Sequence, residues 1–209
     1  MIRVLILVGG EEQYHDVLSA GDVIQKELID RDVVAKVSQD FSILTAERFD
    51  RYDLCIFYTQ SKKLTREEQK ALKDRIAEGK GFIAIHAANV INDVSDNQVY
   101  LETIGSKFVE HDPFKRFYVN IEKDHYITTG IDGFEIDDEL YVTESYGDPV
   151  QILATAEQDG KEHPMLYVKT IDRGRVCYIA LGHDGRAWYN PGFQELLYRS
   201  VLWCAGKDS

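Results

Sequence analysis

Through its first half the chain alternates short, near-continuous apolar runs with longer amphipathic stretches. Ile2–Val8, Val33–Val37 and Tyr52–Tyr58 read as strands; the first and third are near-continuous apolar runs, and the third is expected to be buried on both faces of a parallel sheet. Between the first two lies Asp16–Asp30, with Val17, Leu18, Ile24 and Leu28 spaced along one helical face. A second helix is predicted after Thr65. Thr65 and Glu68 stand three residues apart, as in a capping box, and Leu72 and Ile76 carry an apolar stripe. Gly79 and Gly81 end that helix and open a further apolar strand, Phe82–Ile85, which leads into His86. This alternation predicts an α/β architecture with a mostly parallel central sheet and helical crossovers.

The second half reads differently. Asp96–Ile104 is a candidate short helix and Lys107–Pro113 a loop. Then come candidate strands at Phe117–Ile121, Glu139–Val142, Ile152–Ala156, Met165–Lys169 and Val176–Leu181. Asp172-Arg173-Gly174-Arg175 suits a tight turn joining the last two as a hairpin. Pro191 suits the first turn of a closing amphipathic helix, Phe193–Ala205. No repeat or Pro/Ser-rich linker divides the chain, so residues 1–209 are expected to form one domain with an added strand-rich second half.

The net charge of −12 opposes binding to nucleic acid or to anionic membranes. No apolar run is long enough to span a bilayer, and Gly9-Gly10 ends the first run too soon for a signal peptide. The cytoplasm is the expected compartment. Cys55, Cys177 and Cys204 lie inside apolar segments without metal-ligand or disulfide spacing, and read as small buried hydrophobes.

Candidate chemistry gathers where strands end. Open parallel sheets bind ligands outside the carboxyl ends of their strands. Gly9–His15, Tyr58–Ser61, His86–Asn89 and Gly182–Asp184 are four such ends, and they bring His15, His86 and His183 to one edge. His111 joins them if its loop folds back over that edge. Imidazoles so placed can act as general acids and bases or ligate zinc or a similar divalent ion, for which His86, His111 and His183 are the candidate ligands. Glu139, Asp16 and Asp184 are candidate acidic partners. Trp188, Tyr189, Phe114, Tyr141 and Tyr146 supply aromatic faces that, with carboxylates, suit a carbohydrate. His125 and His163 read as turn or structural residues.

Three stretches resemble the ThuA-like (trehalose utilisation) family of the class I glutamine amidotransferase-like superfamily: Gly81 to Ala88, Asp138-Glu139-Leu140-Tyr141, and Gly174 to Asp184. The tail from Asn190 to Gly206 is similar to that family's ending. The resemblance implies a flavodoxin-like three-layer sandwich, with the His86 turn in the place of the amidotransferase nucleophile elbow. His86 stands where the superfamily has cysteine, and Gly185 where it has the glutamate after the catalytic histidine. The loop Tyr58-Thr59-Gln60-Ser61 lacks the expected oxyanion-hole glycines. Glutamine hydrolysis is therefore not expected, and no nucleotide cofactor is implied.

Two readings stand. In the first, the chain is an enzyme of sugar metabolism. Its substrate is trehalose, a related disaccharide or a keto-sugar, with His86, His183 and Glu139 catalytic and His15, Asp16, His111, Asp184 and Trp188 binding substrate. In the second it is a non-catalytic carbohydrate- or partner-binding module on a retired enzyme scaffold. A homo-oligomer is compatible with either, and a third reading gives exposed aromatics near Trp188 a role in assembly.

Overall fold

In the computed structural model, which describes residues 1–11, 13–122 and 124–208, the apolar runs of the first half become neighbouring parallel strands. These are β1 (Arg3–Gly10), β2 (Val34–Ser38), β3 (Leu54–Gln60) and β4 (Gly81–Ile85), with helix α1 (Val17–Ile29) between the first two and α2 (Arg66–Ala77) between the last two. Every residue of β3 and β4 is buried, which is why neither shows a two-residue polarity alternation. Asp16 caps α1, and Thr65 with Glu68 forms the reciprocal capping box at the start of α2.

Beyond β4 a single 3-10 turn, His86–Asn89, leads towards helix α3 (Gln98–Ile104). Seven strands follow: β5 (Ser106–His111), β6 (Lys115–Ile121), β7 (Phe134–Asp138), β8 (Tyr141–Ser145), β9 (Gln151–Gln158), β10 (Lys161–Ile171) and β11 (Gly174–Ile179). A short helix, α4 (Gly185–Trp188), precedes the closing helix α5 (Pro191–Cys204), which carries Pro191 at its start and Asn190 as its cap.

The main sheet runs β2-β1-β3-β4-β11-β10-β9-β6-β7. From β2 to β11 all pairs are parallel; from β11 to β7 all are antiparallel. One continuous sheet thus joins both halves of the chain, with β10 and β11 meeting in the expected hairpin. Helices cover both faces. α1 is tied to α5 by the Arg31–Glu195 ion pair at 2.7 Å, and α2 to α3 through the Gln69 side chain and the Tyr100 amide. The three cysteines are free and buried, as their apolar settings predicted.

Two segments depart from the sequence reading. Lys107–Pro113 is not a loop: β5 pairs with β8 as a separate two-stranded ribbon. A register shift between Phe108 and Glu110 and the exposure of Val109, Glu110 and His111 break the alternation that would have announced a strand. The expected strand Glu139–Val142 is also displaced. β7 ends at Asp138 and β8 begins at Tyr141, so Glu139 lies on the bend between them. That bend and the β5–β8 ribbon bring Glu139, His111 and Tyr141 to the carboxyl edge of the parallel strands.

Candidate metal centre

β1, β3, β4 and β11 deliver His15, Gln60, His86 and His183 to the same sheet edge. At Gly10 the backbone takes φ +104°, and a Cβ there would stand 1.9 Å from the Gln60 carbonyl oxygen. Only glycine lets β1 end against β3 at this point. His86 follows β4 with φ +50°, a left-handed conformation uncommon for a non-glycine residue and of the kind concentrated at functional sites. This is the sharp strand-to-helix turn that the resemblance implied.

The His86 ring is fully buried. Its Nδ1 lies 2.7 Å from the Ala180 carbonyl, which can only accept, so the proton sits on Nδ1 and Nε2 carries a lone pair. Nε2 has no hydrogen-bond partner and stands 3.6 Å from Glu139 Oε2. Burial pushes the His86 pKa down to about 4, so the ring is neutral at physiological pH. His15 is oriented the same way: its Nδ1 donates to Gln60 Oε1 at 2.6 Å, and its Nε2 lies 3.1 Å from His183 Nδ1. Burial, aided by nearby His183, lowers the His15 pKa despite the Gln60 bond.

Glu139 stands between these rings. Its Oε2 is 3.1 Å from His183 Nδ1. Burial would raise the Glu139 pKa, but His183 holds it well below the usual carboxylate range. For His183, burial works against the charged ring, yet Glu139, Asp138 and Asp184 outweigh it and its pKa is raised. One ligand atom each from His15, His86, Glu139 and His183 lies within 4.8 Å of the others. Three imidazole nitrogens and one carboxylate oxygen form a donor set suited to zinc or a similar divalent ion. The Ala180 carbonyl and Gln60 amide fix ring orientation behind them, as partners of metal-bound histidines do. The residues present fit such an ion.

Of the three metal ligands expected from sequence, His86 and His183 converge and His111 does not. His111 sits at the end of β5, with Nδ1 2.8 Å from the Asp112 carbonyl and 3.8 Å from Glu139 Oε1, its ring stacked on Tyr141. His15 and Glu139 complete the group instead. Asp16 and Asp184 are helix caps, bonded to Ser19 and Arg186 respectively. Trp188 is buried between Tyr58 and Phe193, so the exposed aromatic beside it is Tyr189. His125 accepts from the Ile127 amide and packs on Trp203, in keeping with a turn role.

Two site residues escaped the sequence reading. Gln60 is the polar end of an otherwise nearly apolar strand and lies in one of the four strand ends named above, but nothing singled out its side chain. Asp138 is fully buried: it accepts from the amides of Gly182 (2.7 Å), Glu139 (2.8 Å) and His183 (3.1 Å). Burial pushes its pKa up to about 7 against these three bonds. The family resemblance marked the stretch Asp138 to Tyr141, but in so acidic a chain nothing in it showed that the Asp138 carboxylate is buried.

Over the centre opens a cavity of about 570 Å³, lined by Glu11, Gln13, His15, Phe108, His111 and Tyr141 among others. Its size and its mixture of aromatic and polar walls suit a small organic ligand.

The molecule is thus a flavodoxin-like α/β protein with a His/Glu centre at the carboxyl edge of its sheet. The sequence profile of the ThuA family, described as trehalose utilisation, matches residues 3–204, and the chain belongs to that family. Solved structures agree on the fold. A ThuA-like protein from Parabacteroides merdae superposes with TM-score 0.84 at 21% identity, covering 98% of this chain and 90% of the other. One from Bacteroides uniformis gives 0.81 at 19% identity over 97% and 91%. A cytoplasmic protein from Salmonella typhimurium LT2 gives 0.68 at 15% identity over 99% and 98%. None of the curated proteins matches the sequence. Among the described residues no helix is long and apolar enough to cross a membrane.

Proposed function

We propose that this protein holds a divalent ion of the zinc class on His15, His86, Glu139 and His183, and performs acid/base chemistry on a sugar bound in the cavity above it. The observation that carries the reading is the orphaned, fully buried Nε2 of His86, aimed at Glu139 and two further imidazoles. A buried polar atom left without a partner is costly, and a bound cation would satisfy it. When bound, such an ion polarises a hydroxyl or carbonyl oxygen of the sugar. His111 stands beside the centre with Nδ1 turned to the Asp112 carbonyl, which leaves Nε2 as the base for a substrate proton. Phe108, backed by the buried Tyr141 ring, offers an apolar wall to sugar C–H groups, while Glu11, Gln13 and Asn92 face its hydroxyls. The family's description supports a sugar of the trehalose kind. We place the protein in the cytoplasm, where its buried thiols stay reduced; the Salmonella relative is described as cytoplasmic.

Elemental analysis after zinc incubation and dialysis tests the centre. Wild type is expected to retain near one equivalent, and retention below about a tenth of that would remove the metal from the reading. His86→Ala and His183→Gln should each lower retention and abolish turnover of disaccharides and keto-sugars. Sugar-induced stabilisation without any turnover by wild type would instead make the protein a binding module.

A further inference from the structure

A second cavity, of about 320 Å³, opens beside the first and shares Tyr14 and His183 with it. Its walls are Tyr14, Asp16, Ser19, Asp184, Trp188 and Tyr189, with Gly185 between them. Tyr14 and Tyr189 are 63% and 69% exposed, an unusual display for rings this large, and both stand on this lobe. Each Asp16 oxygen accepts one bond from Ser19 and can accept another, whereas Asp184 already takes four from Arg186.

Gly185 explains why the lobe is open. It stands at the first position of α4. A Cβ there would meet nothing nearer than Tyr189 at 3.8 Å, so the space past it is free. No backbone constraint demands glycine at this position. With no side chain at this position, the chamber stays open beside the His/Glu centre.

Building on the sugar reading above, we propose that this lobe is a subsite for the second ring of a disaccharide whose first ring occupies the main cavity, and that the second ring is uncharged. Tyr14 and His183 line both chambers, so a two-ring ligand would pass beside them. Tyr14 and Tyr189 supply faces for ring C–H groups, and the Asp16 carboxylate supplies acceptors for hydroxyls. The Asp16 and Asp184 carboxylates, in a chain of net charge −12, disfavour a phosphate or carboxylate on that ring, and Arg186 beside the lobe is already paired with Asp184.

Calorimetric titration of zinc-incubated protein with trehalose, sucrose, maltose and cellobiose, with glucose as the one-ring probe, tests the subsite. The best disaccharide should bind at least about tenfold tighter than glucose. Trehalose 6-phosphate and sucrose 6-phosphate should bind at least about tenfold more weakly than their unphosphorylated parents. Gly185→Leu, which fills the lobe from an unstrained position, should bind glucose as wild type does and lose the disaccharide advantage. A Gly185→Leu protein that keeps the advantage, a wild type that binds glucose as tightly as every disaccharide, or an equal affinity for the phosphorylated sugars would overturn the proposal. If wild type binds no sugar at all, the sugar reading fails and the subsite with it, while zinc retention would still stand by its own measurement.

Discussion

Replacing Asp138 by Asn should change the pH dependence of stability in a direction fixed by the structure. Asp138 is buried behind Glu139 and His183, and its carboxyl is raised from 3.8 to about 7 in the folded protein. A carboxyl with a raised folded-state pKa binds its proton more tightly when folded. Its stabilising contribution is complete below the unfolded value and is lost as pH climbs towards the folded one. Between pH 5 and pH 7 the folded protein holds about one proton more at this site, so wild type loses roughly 1.4 kcal/mol per pH unit, or about 2–3 kcal/mol across the interval. The amide introduced by Asp138→Asn cannot titrate. The stability of this variant relative to wild type should therefore improve by about 2–3 kcal/mol from pH 5 to pH 7, whatever its absolute cost. Taking the difference cancels the opposed contributions of His15 and His86, whose lowered pKa values cost stability as pH falls below the ordinary histidine value. Urea unfolding of both proteins at half-unit pH steps, with chelator present, measures this directly. A difference that stays flat, or that widens against the mutant as pH rises, would refute the claim that Asp138 ionises at a cost.

Two further outcomes follow from the same edge. Gln60→Leu removes the acceptor that fixes the His15 ring; zinc affinity, measured by competition with a chelating dye, should fall about 10–100-fold, and an unchanged affinity would show that Gln60 does not orient a ligand. Gly10→Ala drives a Cβ into the Gln60 carbonyl at a positive φ and should cost about 3–5 kcal/mol in urea unfolding; a loss under about 1 kcal/mol would mean that β1 and β3 separate freely at this point.

The sequence by itself determined the parallel half of the sheet, because its central strands, buried on both faces, must be apolar throughout and the crossover helices must carry apolar stripes and caps. It also placed His15, His86 and His183 together, since each follows a parallel strand and parallel strands end on one edge. Tertiary structure alone decided which other groups join them. Glu139 reaches the centre because β7 and β8 break on either side of it, and His111 stays outside because β5 pairs with β8 and anchors its ring to the neighbouring carbonyl. Those placements depend on pairings between segments far apart in the chain, one of them bulged, which leave no periodic trace locally. The role of Asp138 was equally hidden. A carboxylate's burial is a property of what packs around it, and the amides that hold Asp138 come from Gly182 and His183, beyond the end of β11, and from its own next residue.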